Sequence, residues 1–400
     1  MLLFQVPGML SMSYQVVYLQ VLGPAHLPAA PVDAQGVVTL SNGTVELTLS
    51  QGDGWAITQL TVGSDTYVQQ DGTCGNRIGI WNDTGNIYQF GMEFTTDCCP
   101  ATFDFASFPA GAGGQFVEQG PVRWRFAGQL EGGFSTQYDL IRGETLVRMT
   151  TSGTASVDTS VLVSFPMQTA SGATGDVLEY GTSYYWENRN PQQSWSGLTF
   201  RACRNFAQLA TSAGDAVAAV YHNGIPAWTI DGSILRGCLL RNTPNGPRGA
   251  TGHDNGLHVQ SYTLDVEGQL AVTGYPLRTA LYAQTPLAAI VVADDTRAVL
   301  PAFAQLASVA QSDAVLRVGK TNERGLILRV QQPRTALDPQ RLDINLPFLS
   351  GDGTAPTPEI VTALETAPAR QTPVTLVGQT ASFEADRAVW TMRVPLETTD

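Results

Sequence analysis

The chain has 400 residues, 43% hydrophobic and 14% charged, with 40 glycines, 23 prolines and a formal net charge of −13. That composition excludes intrinsic disorder, which needs few apolar residues and much charge, and a coiled coil, which needs Ala, Glu, Lys and Leu at heptad spacing. No run of about 18 apolar residues exists, so no membrane partner is expected, and an acidic chain whose single lysine is Lys320 is a poor match for nucleic-acid phosphates.

The length suggests two or three domains of roughly 100–250 residues. Residues 1–22 are apolar, but they lack a basic n-region and carry Pro7 and several glutamines. They do not read as a secretory signal, so the default expectation is cytoplasmic. Residues 14–21 instead read as a β-strand, which would begin the chain inside a folded unit. A Pro/Ala linker follows at 23–32.

From there the hydrophobic period is two almost throughout. Asn42-Gly43 is a hairpin signal, and the segment from Thr44 to Ser50 alternates polar and apolar. A further strand runs from Trp55 to Val62 after Gly52-Asp53-Gly54. Later strands are expected at 122–126, 135–141, 145–151, 161–165, 217–221, 258–264, 287–292, 326–330 and 389–394. Turn residues separate many of them at sandwich-like spacing. Residues 298–310 are alanine-rich, yet Pro301 and Ser308-Val309 argue against a long helix. A second loosened stretch lies at 354–373. Neither a dinucleotide nor a P-loop fingerprint is present, and the alternating order of a β/α barrel is missing.

Chemistry-bearing residues are sparse. The cysteines Cys74, Cys98, Cys99, Cys203 and Cys238 are odd in number and form no framework, so they read as buried or loop thiols. Two histidines and a carboxylate cluster in His253-Asp254-Asn255-Gly256-Leu257-His258. That spacing does not match a helical zinc site. It fits a polar turn entering a strand, a metal site or a ligand-facing loop. Glu179, Glu187, Asp231 and Asp254 stand near the most aromatic segment and read as solvated or turn-forming. That segment, Tyr184-Tyr185-Trp186-Glu187-Asn188-Arg189-Asn190-Pro191 with Trp195 beyond it, has the mix of rings and planar polar groups that sugar sites use. It equally fits a strand corner. The sequons at Asn42 and Asn82 would matter only in a secreted eukaryotic protein.

The most distinctive stretch runs from His222-Asn223-Gly224-Ile225-Pro226 through Trp228 and Asp231-Gly232. It continues through Leu235, Leu239-Leu240-Arg241 and Pro244 to Gly252-His253, His258 and Tyr262-Thr263-Leu264. In order and spacing it resembles the C-terminal region of glycoside hydrolase family 38, the α-mannosidases. Similar elements flank it: Pro7-Gly8 to Tyr14, Asn42 to Leu60, Gly120-Pro121-Val122-Arg123, Gln284-Thr285-Pro286-Leu287 and Gly325-Leu326-Ile327-Leu328-Arg329. The resemblance covers nearly the whole chain.

It implies an all-β fold, a galactose-mutarotase-like antiparallel super-sandwich flanked by smaller β-sandwich elements. The implied divisions are a terminal strand of a small β-domain plus linker at 1–35, the large sandwich at 36–296 and a small C-terminal β-domain at 297–400. The family's catalytic residues and its zinc-like divalent metal lie in an N-terminal α/β barrel, for which this chain has no counterpart. No catalytic residue, cofactor or metal is therefore assigned to it. The expectation is a non-catalytic portion of a retaining α-mannosidase that braces the catalytic domain and lends loops to mannoside binding. Its partners would be carbohydrate and that catalytic domain or subunit, with a homo-oligomer as a further possibility. The substrate-facing candidates are Arg241, Arg248, His253, Asp254, Asn255 and His258, with Tyr185 and Trp186 as a weaker set. A stand-alone carbohydrate-binding module and an aldose epimerase are the alternatives.

Overall fold

The computed structural model describes residues 13–15, 36–69, 73–83, 85, 105–120, 122–181, 186–189, 200–246, 250–266, 303–305, 307–309, 315–322, 325–331, 340–349, 357–362, 372–385 and 389–395. Among these residues the regular structure is antiparallel β-sheet, with one three-residue 3-10 turn at Glu131–Gly133. The all-β expectation is met.

The largest sheet has nine strands. In spatial order they are Trp186–Arg189, Val177–Gly181, Phe206–Ala210, Ala216–His222, His258–Asp265, Val147–Gly153, Ser135–Ile141, Arg123–Leu130 and Gly111–Gln119. A five-stranded sheet runs Arg201–Ala202, Ala227–Asp231, Ile234–Asn242, Thr159–Pro166, Arg77–Asn82. A four-stranded sheet, Val37–Ser41, Val45–Ser50, Ala56–Val62 and Asp65–Thr66, adds to the same core. The alternation seen in sequence is the reason: along Ser135–Ile141, Thr136, Tyr138 and Leu140 are buried while the residues between them are half-exposed.

A buried polar network ties this core together. Asn76 donates its amide to the Tyr138 hydroxyl at 2.7 Å, and Tyr138 donates to the Trp55 carbonyl at 2.6 Å. The Tyr262 hydroxyl donates to Asn76 Oδ1 at 2.6 Å and lies 2.7 Å from Thr151 Oγ1. Burial raises the pKa of both phenols, so they remain neutral partners.

The strand Gly111–Gln119 was not expected from sequence, because glycines weaken strands. Here the missing Cβ atoms at Gly111 and Gly114, with that of Gly128 on the adjacent strand, make room for the Trp55 and Phe126 rings. A Cβ at Gly114 would lie 2.7 Å from the Trp55 ring, and one at Gly128 only 2.3 Å from it. Trp55 is fully buried, and its indole N–H donates to the Gln129 carbonyl at 3.2 Å.

A second core lies between two four-stranded sheets. One is ordered Ser308–Val309, Gln340–Asn345, Thr380–Ala385, Thr375–Val377. The other is ordered Val315–Asn322, Gly325–Gln331, Val389–Val394, Glu359–Val361. Strand Glu359–Val361 interrupts the loosened stretch at 354–373. Among the described residues of 298–310 are two short strands, Phe303–Gln305 and Ser308–Val309. Strand Ser13–Gln15 pairs with Phe303–Gln305, and the rest of the strand expected at 14–21 lies outside the described residues. The strand expected at 287–292 and the linker at 23–32 lie outside the described residues.

Cys74, Cys203 and Cys238 are buried and form no disulfide among the described residues. Burial pushes Cys203 well above its ordinary value and Cys238 to about 12. Cys98 and Cys99 lie outside the described residues. Among the described residues no helix is long and apolar enough to cross a membrane.

A histidine and aspartate loop as the candidate functional site

The strand Ile234–Asn242 delivers the loop that sequence pointed to, and a buried carboxylate fixes where it leaves the sheet. Asp83, fully buried just past the edge strand Arg77–Asn82, which lies across Thr159–Pro166 from Ile234–Asn242, accepts from Arg241 Nε at 2.5 Å and Nη2 at 3.0 Å. Ser160 Oγ donates to it at 2.7 Å and the Gly85 amide at 2.9 Å. Four donors satisfy a carboxylate that burial would otherwise penalise. Arg241 is therefore an anchor for the loop, and its guanidinium is engaged inward; it was expected to face substrate.

Asn242, also fully buried, holds the return of the loop. Its amide nitrogen donates to the Ala155 carbonyl at 3.0 Å and to Asn255 Oδ1 at 2.9 Å. Its Oδ1 accepts from the Asp254 amide at 2.9 Å. Thr243 and Asn245 both donate to the Gly85 carbonyl, at 2.8 and 3.0 Å. Two fixed points thus position residues 250–258 against the turn at 155–158.

On the surface of this platform stand two imidazole–carboxylate pairs. His253 Nε2 lies 3.0 Å from Asp158 Oδ1, and His258 Nε2 lies 3.0 Å from Asp254 Oδ2. Both aspartate side chains are 56% exposed, against 24% and 26% for the histidines. The hydrogen bond from His258, then that from the Gly256 amide, lowers the Asp254 pKa from its ordinary value. Asn255 is exposed. The arrangement offers hydroxyl-rich ligands several solvent-facing donors and acceptors. Among the described residues no group of three or more His, Cys, Asp or Glu is placed to hold a metal ion.

The structure brings together Arg241, His253, Asp254, Asn255 and His258. Arg248 and Tyr185 lie outside the described residues. Trp186 opens the edge strand Trp186–Arg189 and pairs with Gly181. Sequence reasoning missed Asp83, Asn242 and Asp158. Asp83 carried only the signal of a sequon, and its contact with Arg241 spans 158 residues, beyond any local pattern. Asn42, the other sequon residue, donates its amide to the Ile141 and Glu144 carbonyls at 2.7 and 2.8 Å, so it serves as a turn clamp.

Glu179 differs from the solvated or turn-forming group expected: it is buried, accepts from Gln208 Nε2 at 2.7 Å, and is pushed by burial to about 7. Asp231 closes the hairpin turn at Gly232 and accepts from Arg236 Nε at 2.8 Å.

No protein-family model matches the chain, and no curated protein matches it in sequence. Solved structures do. An α-mannosidase from Enterococcus faecalis is similar at 13% identity and a TM-score of 0.63, over 88% of this chain and 42% of that one. A glycosyl hydrolase family 38 protein from Enterococcus faecalis is similar at 14% identity and 0.64, over 91% and 44%. A galactose mutarotase-like protein from Lactobacillus casei superposes more loosely, at 11% identity and 0.35, over 58% of this chain and 100% of that one. The chain spans less than half the length of the two Enterococcus proteins. What it shares with them is the fold, across nearly all of its own length.

Proposed function

We propose that this chain is the non-catalytic β-portion of an α-mannosidase-type glycoside hydrolase, bracing a separate catalytic domain and lending the loop at 241–258 to carbohydrate binding. The observation that carries the reading is the match over 88% of this chain but only 42% of an α-mannosidase. A fold shared so completely by one part, beside a long unmatched remainder, supports a role as that part. The loop supports it chemically, because a rigid platform presents solvent-facing imidazole, carboxylate and amide groups suited to sugar hydroxyls. The divalent metal and the retaining chemistry implied by the resemblance belong to the other domain in this reading. No step is assigned to residues of this chain.

The test is purification of the native protein from its source cells, with hydrolysis of p-nitrophenyl α-mannoside as the readout. Mannoside hydrolysis should travel with this chain, and the purified chain alone should be inert. Asp254→Ala and Arg248→Ala should weaken mannoside affinity in the active assembly. A native form without mannoside hydrolysis would overturn the reading. Mannoside binding by the isolated chain, with no catalytic partner, would favour a stand-alone binding module.

A further inference from the structure

The sequence contains four Asn-Gly dipeptides, Asn42-Gly43, Asn223-Gly224, Asn245-Gly246 and Asn255-Gly256. Each has the local chemistry for spontaneous deamidation, since glycine places no side chain over the backbone nitrogen that attacks. Three of the asparagines are held. Asn42 accepts from the Thr44 and Val45 amides at 2.9 and 2.7 Å and donates to two carbonyls. Asn245 donates to the Gly85 carbonyl, and the Gly246 amide donates to the Ala250 carbonyl at 2.8 Å. Asn255 accepts from the Asn242 amide, and the Gly256 amide points at Asp254 Oδ1 at 3.4 Å.

Asn223 is not held in this way. It and Gly224 are both exposed, as Asn255 and Gly256 also are, in the turn after strand Ala216–His222. Its side chain makes no hydrogen bond among the described residues. Gly224 sits at φ +106, and the nearest group to a Cβ there would be the far end of Gln260 at 3.6 Å. Nothing described hinders closure of a ring between the two residues.

We infer that Asn223-Gly224 is the site at which this protein deamidates in its folded state, ahead of its three sister sequences. The deprotonated Gly224 nitrogen bonds to Asn223 Cγ. The Cγ–Nδ2 bond breaks, and the nitrogen leaves as ammonia with a proton from solvent. Water then opens the cyclic imide at either carbonyl, giving aspartate or isoaspartate. The product adds one negative charge to the turn, and the isoaspartate form adds a methylene to its backbone, next to His222 stacked on Trp228.

The test incubates the full folded chain in mildly alkaline buffer and follows the four peptides by mass, with enzymatic methylation marking isoaspartate. Asn223 should convert first. The others should lag about tenfold, because each must first give up at least one hydrogen bond. In denaturant all four should convert at similar rates, which isolates the fold as the cause of the ranking. Faster or equal conversion at Asn42, Asn245 or Asn255 in the folded chain would overturn the inference, as would an unchanged Asn223 peptide. A ranking that persists in denaturant would also overturn it.

Discussion

The underside of the 241–258 loop and its outer surface use the same residue types to opposite ends. Beneath the loop, Asp83 is fully buried and takes four hydrogen bonds, two of them from Arg241. On the surface, Asp158 and Asp254 are half open to water and each meets a single histidine. A buried carboxylate must be matched completely, so its partners are fixed and unavailable to a ligand. A solvated one exchanges partners cheaply, so it can give up a histidine for a sugar hydroxyl. The comparison separates charges fixed as anchors from charges that stay wet and free to change partners.

Asp83→Ala should break the comparison most severely. It strands the Arg241 guanidinium and frees Ser160, with an expected loss of about 3 kcal/mol or more, read from the denaturant midpoint. Asn242→Ala should cost about 1–3 kcal/mol, because it leaves the Ala155 carbonyl and the Asp254 amide unmatched. It should also loosen residues 250–258, visible as faster amide exchange confined to the loop.

Glu179 sharpens the contrast, being buried like Asp83 but answered by an amide where Asp83 has a guanidinium. Its folded pKa of about 7 lies above its ordinary 4.5. The folded state therefore holds a proton that the unfolded state releases. Its contribution to stability is greatest below pH about 4.5 and declines as pH rises to about 7. Glu179→Gln should flatten that slope and leave the protein more stable than wild type at pH 8, measured by thermal melts across pH. An unchanged slope would mean that Glu179 does not titrate in this window.

The smallest effect belongs to the surface. Asp254→Asn should change stability by within about 0.5 kcal/mol. The lowered Asp254 pKa means its small contribution is present above its ordinary 3.8 and lost as pH falls through the folded value. Near neutral pH the variant should be indistinguishable from wild type in stability while weakening mannoside affinity. A large stability loss would place Asp254 with the anchors.

The strands at 135–141 and 389–394 were legible to the residue, since Tyr138 and Leu140 in the first, and Trp390, Met392 and Val394 in the second, recur at every other position on a buried face. Gly111–Gln119 was illegible, because Gly111 and Gly114 answer to Trp55, a residue distant in sequence. The loop at 241–258 could be found from its histidines, but not the difference between Arg241 and His258 within it.

By itself the sequence determined the all-β class and the positions of many strands, because period-two patterning and turn chemistry are local. Only the tertiary structure decided which charges are anchors and which face solvent. That choice depends on burial and on contacts such as Asp83 with Arg241 and Asp158 with His253. Those contacts join residues 158 and 95 positions apart, and no local pattern encodes them.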